Sequence, residues 1–201
     1  MSQRRNRGFV ILVTLLLTIA FITSGCANQS APPAKEKVLV IGYDRDAEIL
    51  DTIKTGWLSD ALIYIHDRLV SRDYDFNYRP GLAESWETSD DGLVWTFHLK
   101  EGVKFHDGTS LTAKDVEFTI KKIIDPETAA PAAAELAAIK DVVAKDELTV
   151  DIILKHPFPN LLFILSNTSL GIVSEKAYQQ EGYGTEFVIG TGPYMFKEWK
   201  K

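Results

Sequence analysis

Residues 81–122 read GLAESWETSDDGLVWTFHLKEGVKFHDGTSLTAKDVEFTIKK, and they carry the strongest local signals for the fold. Residues 90–92, Asp-Asp-Gly, predict a tight turn, because glycine adopts a positive φ at low cost. From Leu93 to Leu99 every second residue is large and apolar, which predicts a strand with one buried face. A looser partner strand precedes the turn, around Trp86. The sequence therefore predicts a β-hairpin here.

A helix follows this hairpin after a second turn at residues 106–108, His-Asp-Gly. Thr112 is suited to cap the helix, and the carboxylate of Asp115 favours the positive helix end. We expect the helix to run from 113 to 124. Its buried side carries Val116, Ile120, Ile123 and Ile124.

The order and spacing of four motifs in this stretch resemble the signature region of the family 5 extracellular solute-binding proteins. The motifs are LAESW, DDG, TFHLKEGVKFHDG and LTAKDV, and GTGPY at 190–194 followed by Glu198-Trp199 resembles a second family motif. These proteins are the peptide, oligopeptide and nickel receptors of bacterial ABC importers. The resemblance covers nearly all of the chain after residue 37.

The resemblance implies an α/β protein with a two-lobed, periplasmic-binding-protein-like (type II) fold. Residues 38–201 would be the N-terminal part of the solute-binding domain, with an inserted subdomain at about 80–160. The second lobe would be missing from this sequence. Because family members pair a peptide's amino terminus with an acidic residue of that lobe, we expect the 201-residue chain alone to bind peptide weakly or not at all.

The N-terminal region has the features of an export signal. Residues 1–25 begin with three arginines and continue into an apolar run that is short for a membrane span. Small residues then lead to Cys26, which resembles the lipobox of bacterial lipoproteins, where this cysteine carries a diacylglycerol. Thr23 stands in place of the usual leucine, and an ordinary secretory signal with a spare thiol is the alternative. Residues 26–37 are polar and contain proline, as expected of a flexible tether.

The first candidate ligand contacts follow this tether. We expect a central strand at 38–43 and a helix at about 58–69, from their apolar patterns. In the family, the loop between these elements lines the ligand cleft, so the resemblance implies contacts from Thr55, Gly56 and Trp57. A tryptophan at a helix entrance would offer a flat apolar platform to a ligand side chain. A core position is the alternative for Trp57.

The second half of the chain is predicted to be mostly scaffold. The expected elements are a short helix within 126–139, strands at 141–145 and 148–154, a helix at 157–165 and a strand at 170–173. Related receptors often place a ligand-facing residue in the loop before that last strand. Asn167 and Thr168 could therefore hydrogen-bond a peptide backbone, and a plain loop cap is the alternative.

Charge and motif content weigh against several classes of function. The formal net charge is −6, and removing 1–25 with its three arginines leaves 19 basic and 28 acidic residues, or −9. Such an acidic chain lacks the excess of positive charge that is typical of nucleic-acid-binding proteins. The four histidines have no HExxH spacing, and no GxSxG elbow or phosphate loop is present. We therefore predict no enzyme activity, no metal and no cofactor.

The function implied by the resemblance is capture of peptide outside the cytoplasm and delivery to ABC permease subunits. The acylated Cys26 would anchor the protein to the lipid bilayer. Within the same fold, a nickel chelate, an opine, a sugar or a signalling role remain alternatives. Nickel is disfavoured, because Asn167-Thr168-Ser169 stands where the chelate-holding arginine is expected. A secreted hydrolase is a further alternative from another class.

Overall fold

The structure is a computed structural model, and it describes residues 38–42, 49–55 and 61–200. The chain divides into two units, Met1–Gly42 and Tyr43–Lys201. The elements of the second unit are, in chain order, α1 (Leu62–Ile65), β1 (Val70–Arg72), β2 (Tyr78–Pro80), β3 (Ala83–Thr88), β4 (Val94–Leu99), α2 (Ala113–Ile124), β5 (Ile139–Ala144), β6 (Thr149–Leu154), α3 (Leu161–Leu165) and α4 (Glu175–Tyr178). None of the helices in these described parts could cross a bilayer.

The described part of the first unit has no regular structure. Residues 38–42 are exposed and form neither helix nor strand. The strand predicted at 38–43 is therefore wrong for these five residues. An apolar run becomes a strand only when a neighbour pairs with its N–H and C=O groups, and no described strand pairs with this run.

A four-stranded antiparallel sheet in the order β3-β4-β6-β5 forms the centre of the second unit. Phe97 on β4 lies opposite Val150 on β6, and Val142 on β5 lies opposite Ile152. All four side chains are fully buried, because alternate residues of neighbouring strands share one face. Helix α2 packs against β5 and β6 and covers this face.

The hairpin and helix predicted around the signature stretch are confirmed. Strands β3 and β4 flank the turn, where Gly92 has a φ of +67°. Helix α2 spans the predicted residues Ala113–Ile124. At its start the carboxylate of Asp115 accepts hydrogen bonds from the main-chain nitrogen and the hydroxyl of Thr112, at 2.9 and 3.0 Å. Its other oxygen accepts from the nitrogen of Glu175, at 3.0 Å, so one buried carboxylate serves the N-termini of α2 and α4.

The helix predicted at 58–69 is wrong after Ile65, where α1 ends. In a continued helix the carbonyl of Ile65 would accept from the nitrogen of Leu69. Instead it accepts from the nitrogen of Gly192, at 2.8 Å. The following residues extend into β1, which pairs with β2, so partners distant in sequence override the helical spacing.

Three further predictions in the second half need correction. The stretch 126–139 contains two short 3-10 helices, Pro126–Thr128 and Pro131–Ala134, rather than one helix. The helix expected from 157 begins at Leu161. Residues 170–173 are buried but form no strand, because their main chain bonds to loops and side chains instead of a ladder. The nitrogen of Ile172, for example, donates to the carbonyl of Asp67 at 2.9 Å.

Candidate functional site

The segment that carries Thr55 is held by the buried carboxylate of Asp51. One oxygen of this carboxylate accepts from the nitrogens of Ile53 and Lys54, at 2.9 and 3.3 Å. The nitrogen of Thr55 donates to the carbonyl of Asp51, at 2.9 Å. An aspartate that bonds its own backbone in this way fixes a turn. The nitrogen of Thr55 thus closes this turn, and its ligand contact stays a prediction. Gly56 and Trp57 lie outside the described residues, and their contacts stay predictions as well.

The second oxygen of Asp51 faces a pair of tyrosines. The hydroxyl of Tyr178 donates to it at 3.1 Å, and Lys54 lies 3.6 Å from it. Burial, together with the negative charge of Asp51, raises the pKa of Tyr178. The hydroxyl of Tyr183 is buried and has no hydrogen-bond partner in the described structure; burial chiefly, and then Asp51, raise its pKa. Both tyrosines therefore stay protonated, and Tyr178 stabilises the turn through its hydrogen bond to Asp51.

The loop that carries Asn167 and Thr168 lies beside this turn. The hydroxyl of Thr52 donates to the carbonyl of Gly171, at 3.4 Å. The side chain of Asn167 is engaged on both sides: its amide nitrogen donates to Glu135 at 2.9 Å, and its oxygen accepts from Arg72 at 3.5 Å. Thr168 is half-buried in the same loop. The bond from Thr52 thus joins the turn at 51–55 to Gly171, just after the loop, and Asn167 bridges Glu135 and Arg72. The ligand contacts predicted for Asn167 and Thr168 stay predictions.

Two arginines that the sequence analysis missed converge on this loop. A nitrogen of Arg68 donates to the carbonyl of Ser166, at 3.5 Å. The guanidinium of Arg72 lies over the ring of Phe163, 4.2 Å from its centroid, a distance at which a cation and an aromatic face attract. Phe163 is 44% exposed. The sequence signal was the spacing of Arg68 and Arg72, which places both on one face of an extended segment. The loop that they meet lies 95–98 positions further along the chain, so no local pattern revealed the contact.

The GTGPY motif forms a clasp, which we define as residues 190–194 together with His66 and His106. The ring of His106 accepts from the nitrogen of Gly190 at 3.4 Å through Nδ1, and Nε2 donates to the carbonyl of Gly192 at 2.8 Å. The hydroxyl of Thr191 donates to Asp67, at 3.0 Å. These bonds fix 190–194 against Asp67, which follows α1, and against the turn at 106–108.

His66 is the buried part of this clasp. Its Nδ1 lies 3.2 Å from the carbonyl of Ile172, and a carbonyl only accepts, so Nδ1 carries the proton. Nε2 is buried without a partner in the described structure. Burial lowers the pKa of His66, the bond to Ile172 opposes this effect in part, and the nearby His106 adds a smaller lowering, so that the pKa is about 4. The ring is therefore neutral at physiological pH.

No metal centre is found in the described parts of the chain. There, no group of three or more histidine, cysteine, aspartate or glutamate residues is arranged to hold a metal ion. His98 is partly exposed and His156 is exposed. The described site offers hydrogen-bonding groups, guanidinium charge and aromatic surface, which can bind a solute.

The sheet, the covering helix and the clasp define part of a type II periplasmic-binding-protein fold. Residues 77–201 match the profile of the bacterial extracellular solute-binding proteins, family 5 Middle, and the chain belongs to this family. The fold class predicted from the signature motifs is thereby confirmed.

Relatives and solved structures agree with this assignment. The chain is 31% identical to the probable D,D-dipeptide-binding periplasmic protein DdpA of Escherichia coli over 92% of its length. It is 27% identical to the periplasmic oligopeptide-binding protein OppA of Salmonella typhimurium over 94% of its length. The PBP AgaA of A. tumefaciens R10, solved with agropinic acid, superposes on 78% of the chain with a TM-score of 0.72 and 32% identity.

The chain is much shorter than these proteins. It spans 38% of DdpA and of OppA, and 32% of the AgaA chain. The similarity therefore extends over about a third of each of these proteins.

Proposed function

We propose that this protein is the substrate-binding component of an ABC importer and captures di- or oligopeptides outside the cytoplasm. The observation that carries the proposal is the similarity of nearly the whole chain to DdpA and OppA, whose names state dipeptide and oligopeptide binding. The permease subunits would be its partners. On this proposal the protein is not an enzyme, and it uses neither metal nor cofactor.

The geometry of the two adjacent segments supports this proposal. A peptide presents alternating N–H and C=O groups, which bind well to fixed polar groups at a cleft wall. The turn at 51–55 is held by Asp51, and Thr52 in this turn bonds to Gly171, two residues after the loop at 166–169. We propose that Thr55, Gly56, Trp57 and Thr168 contact the peptide from this side, with Asn167 contributing through the arrangement of the loop.

Isothermal titration calorimetry tests the proposal. The longest form of the protein that its gene encodes would be titrated with trialanine and with a tripeptide library, and micromolar binding is expected. The 201-residue chain, which corresponds to about a third of its relatives, should bind at least tenfold more weakly. Recovery of intact peptide by mass spectrometry distinguishes binding from hydrolysis, and turnover would contradict the receptor function.

A second candidate ligand class is a small organic acid. The observation in its favour is the similarity to AgaA, solved with agropinic acid. The same titration with agropinic acid in place of trialanine compares the two classes directly. Tighter binding of the acid than of any tripeptide in the library would replace the peptide proposal.

We further propose that residues 1–25 are a signal peptide and that Cys26 is acylated, with 26–37 as the tether. Two acyl chains, at about 0.8 kcal/mol per buried methylene, hold a protein stably at a bilayer. The variant Cys26→Ser should move the protein from the membrane fraction to the soluble extracytoplasmic fraction and abolish labelling by an alkyne fatty acid. Equal labelling of both proteins would exclude lipidation at Cys26.

A further inference from the structure

Arg68 and Arg72 carry donors that the described structure leaves unused. A guanidinium has five N–H donors, and each of these two side chains makes one long hydrogen bond of 3.5 Å. Among the described residues, no carboxylate lies within ion-pair distance of either guanidinium. By contrast, Arg79 on the same hairpin is paired with Asp73, at 2.8 Å.

The half-buried position of Arg68 makes this arrangement costly. Burying a charge without a counter-charge is unfavourable, and burial lowers the pKa of Arg68 while the charge of Arg72 lowers it further. The nearby carboxylate of Asp67 opposes this effect, but it is engaged by Thr191. Two cations thus lie close to one another with little direct compensation.

The carboxylate of Glu135 also faces this region. It accepts from the amide of Asn167 at 2.9 Å, and Asn167 in turn separates it from Arg72. The ring of Phe163 covers one face of the Arg72 guanidinium and leaves the nitrogens at its edge as the groups able to bind an anion. Guanidinium edges match carboxylate oxygens in a bidentate geometry.

We propose that Arg68, Arg72 and the loop at 166–168 form a binding site for a carboxylate group of the captured solute. This inference rests on the proposed function, because it names the chemical group that the receptor recognises on this side of its cleft. The carboxylate would occupy the unused guanidinium donors and compensate the half-buried charge of Arg68. The C-terminus of a peptide and a free organic acid share this chemistry.

The first experiment measures the arginines directly and does not depend on peptide binding. The longest encoded form of the protein, labelled with ¹⁵N-arginine, would be titrated with N-acetylglycine and separately with N-acetylglycinamide. We expect saturable shifts of the Arg68 and Arg72 Nε–Hε resonances with the acid only. Arg79 is the matched control, because it lies on the same hairpin but already has a carboxylate partner. Absence of saturable shifts, or equal shifts with the amide, would overturn the inference.

The second experiment separates a peptide C-terminus from a free acid. Calorimetry would compare trialanine with trialanine amide in the parent protein and in Arg68→Gln, Arg72→Gln and Arg79→Gln. Because a hydrogen bond to a charged group is lost, the affinity for trialanine should fall about ten- to a hundredfold in the first two variants. The affinity for trialanine amide should not change. Arg79→Gln should behave as the parent. If the first two variants retain the full preference for the free acid, the carboxylate site is elsewhere.

Two outcomes distinguish this inference from the proposed function. Shifts with N-acetylglycine but no binding of either peptide would refute peptide capture and leave a site for a free organic acid. Peptide binding that is equally tight for acid and amide would support capture and refute the carboxylate site. Arg68→Lys and Arg72→Lys provide folded substitutes if the glutamine variants unfold, and they should weaken acid binding because lysine lacks the bidentate edge.

Discussion

The buried imidazole of His66 makes the stability of the protein depend on pH, and His66→Asn tests this dependence. In the unfolded chain the ring titrates near its ordinary pKa of 6.5, whereas burial lowers its pKa to about 4 in the folded protein. Between these values the unfolded state binds a proton that the folded state does not. Acid therefore favours unfolding in this range, and stability rises as the pH increases from about 4 to about 6.5.

The size of the effect follows from the two pKa values. The pKa values of the unfolded and folded states differ by about 2.5. Each unit of pKa difference corresponds to about 1.36 kcal/mol. The maximum contribution is therefore about 3 kcal/mol. Between about pH 7 and about pH 4.5 the folded protein should lose about 2 kcal/mol through this group alone. The structural cause is that a protonated Nε2 would be a buried donor without a partner.

Asparagine is a suitable replacement because its side-chain amide can still donate to the carbonyl of Ile172, as Nδ1 of His66 does. His66→Asn should lower the baseline stability through lost packing but flatten the pH dependence by about 2 kcal/mol. Urea unfolding at several pH values, followed by circular dichroism, measures both effects. His156→Asn, at an exposed position, is the matched control for the substitution itself. If the parent and His66→Asn lose equal stability between about pH 7 and about pH 4.5, the assignment of the slope to His66 is wrong.

Three further substitutions test the packing that positions the site, each by urea unfolding. Gly190→Ala should lower the free energy of unfolding by more than about 3 kcal/mol, because its new methyl group would collide with the carbonyl of Ile65 at the end of α1 and lie 2.8 Å from Nδ1 of His66. Gly42→Ala, with open space around it, is the control, and equal stabilities of the two variants would refute the clasp. Asp115→Ala removes the caps of two helices and should lower the free energy of unfolding by about 2–3 kcal/mol. A decrease of less than about 0.5 kcal/mol would contradict the shared cap. Phe97→Ala should lower the free energy of unfolding by about 3–5 kcal/mol. Phe76 is 75% exposed, so Phe76→Ala should lower it by less than about 0.5 kcal/mol. Similar losses in the two variants would show that the core does not lie around Phe97.

Local patterns were sufficient to predict the hairpin and helix of the signature stretch. The period of two through Phe97 and the turn at Gly92 act over a few residues, and the helix that begins after Thr112 has its own start signal. Helix α2 accordingly begins and ends at the predicted residues. Propensity, patterning and capping all favour the same structure there, so tertiary contacts reinforce the local preference.

The remaining errors arise where a distant partner decides the local structure. The end of α1 at Ile65 depends on Gly192, and the buried but irregular path of 170–173 depends partly on Asp67. No short window of sequence contains both partners. The convergence of Arg68 and Arg72 on the loop at 166–168 was hidden for the same reason. The predicted contacts of Gly56 and Trp57 lie outside the described residues and stay predictions.

The clasp has a consequence for the order of folding. Thr191 and Asp67 are bonded across 124 positions of the chain, so closing this contact requires a long loop, and such contacts form late. In a chain that is exported before it folds, as proposed here, this late step follows export rather than synthesis. Until the clasp closes, Ile65 and His66 lack the cover that residues 190–194 give them. A factor that shields unfolded exported chains would therefore act best on this segment, before the clasp closes.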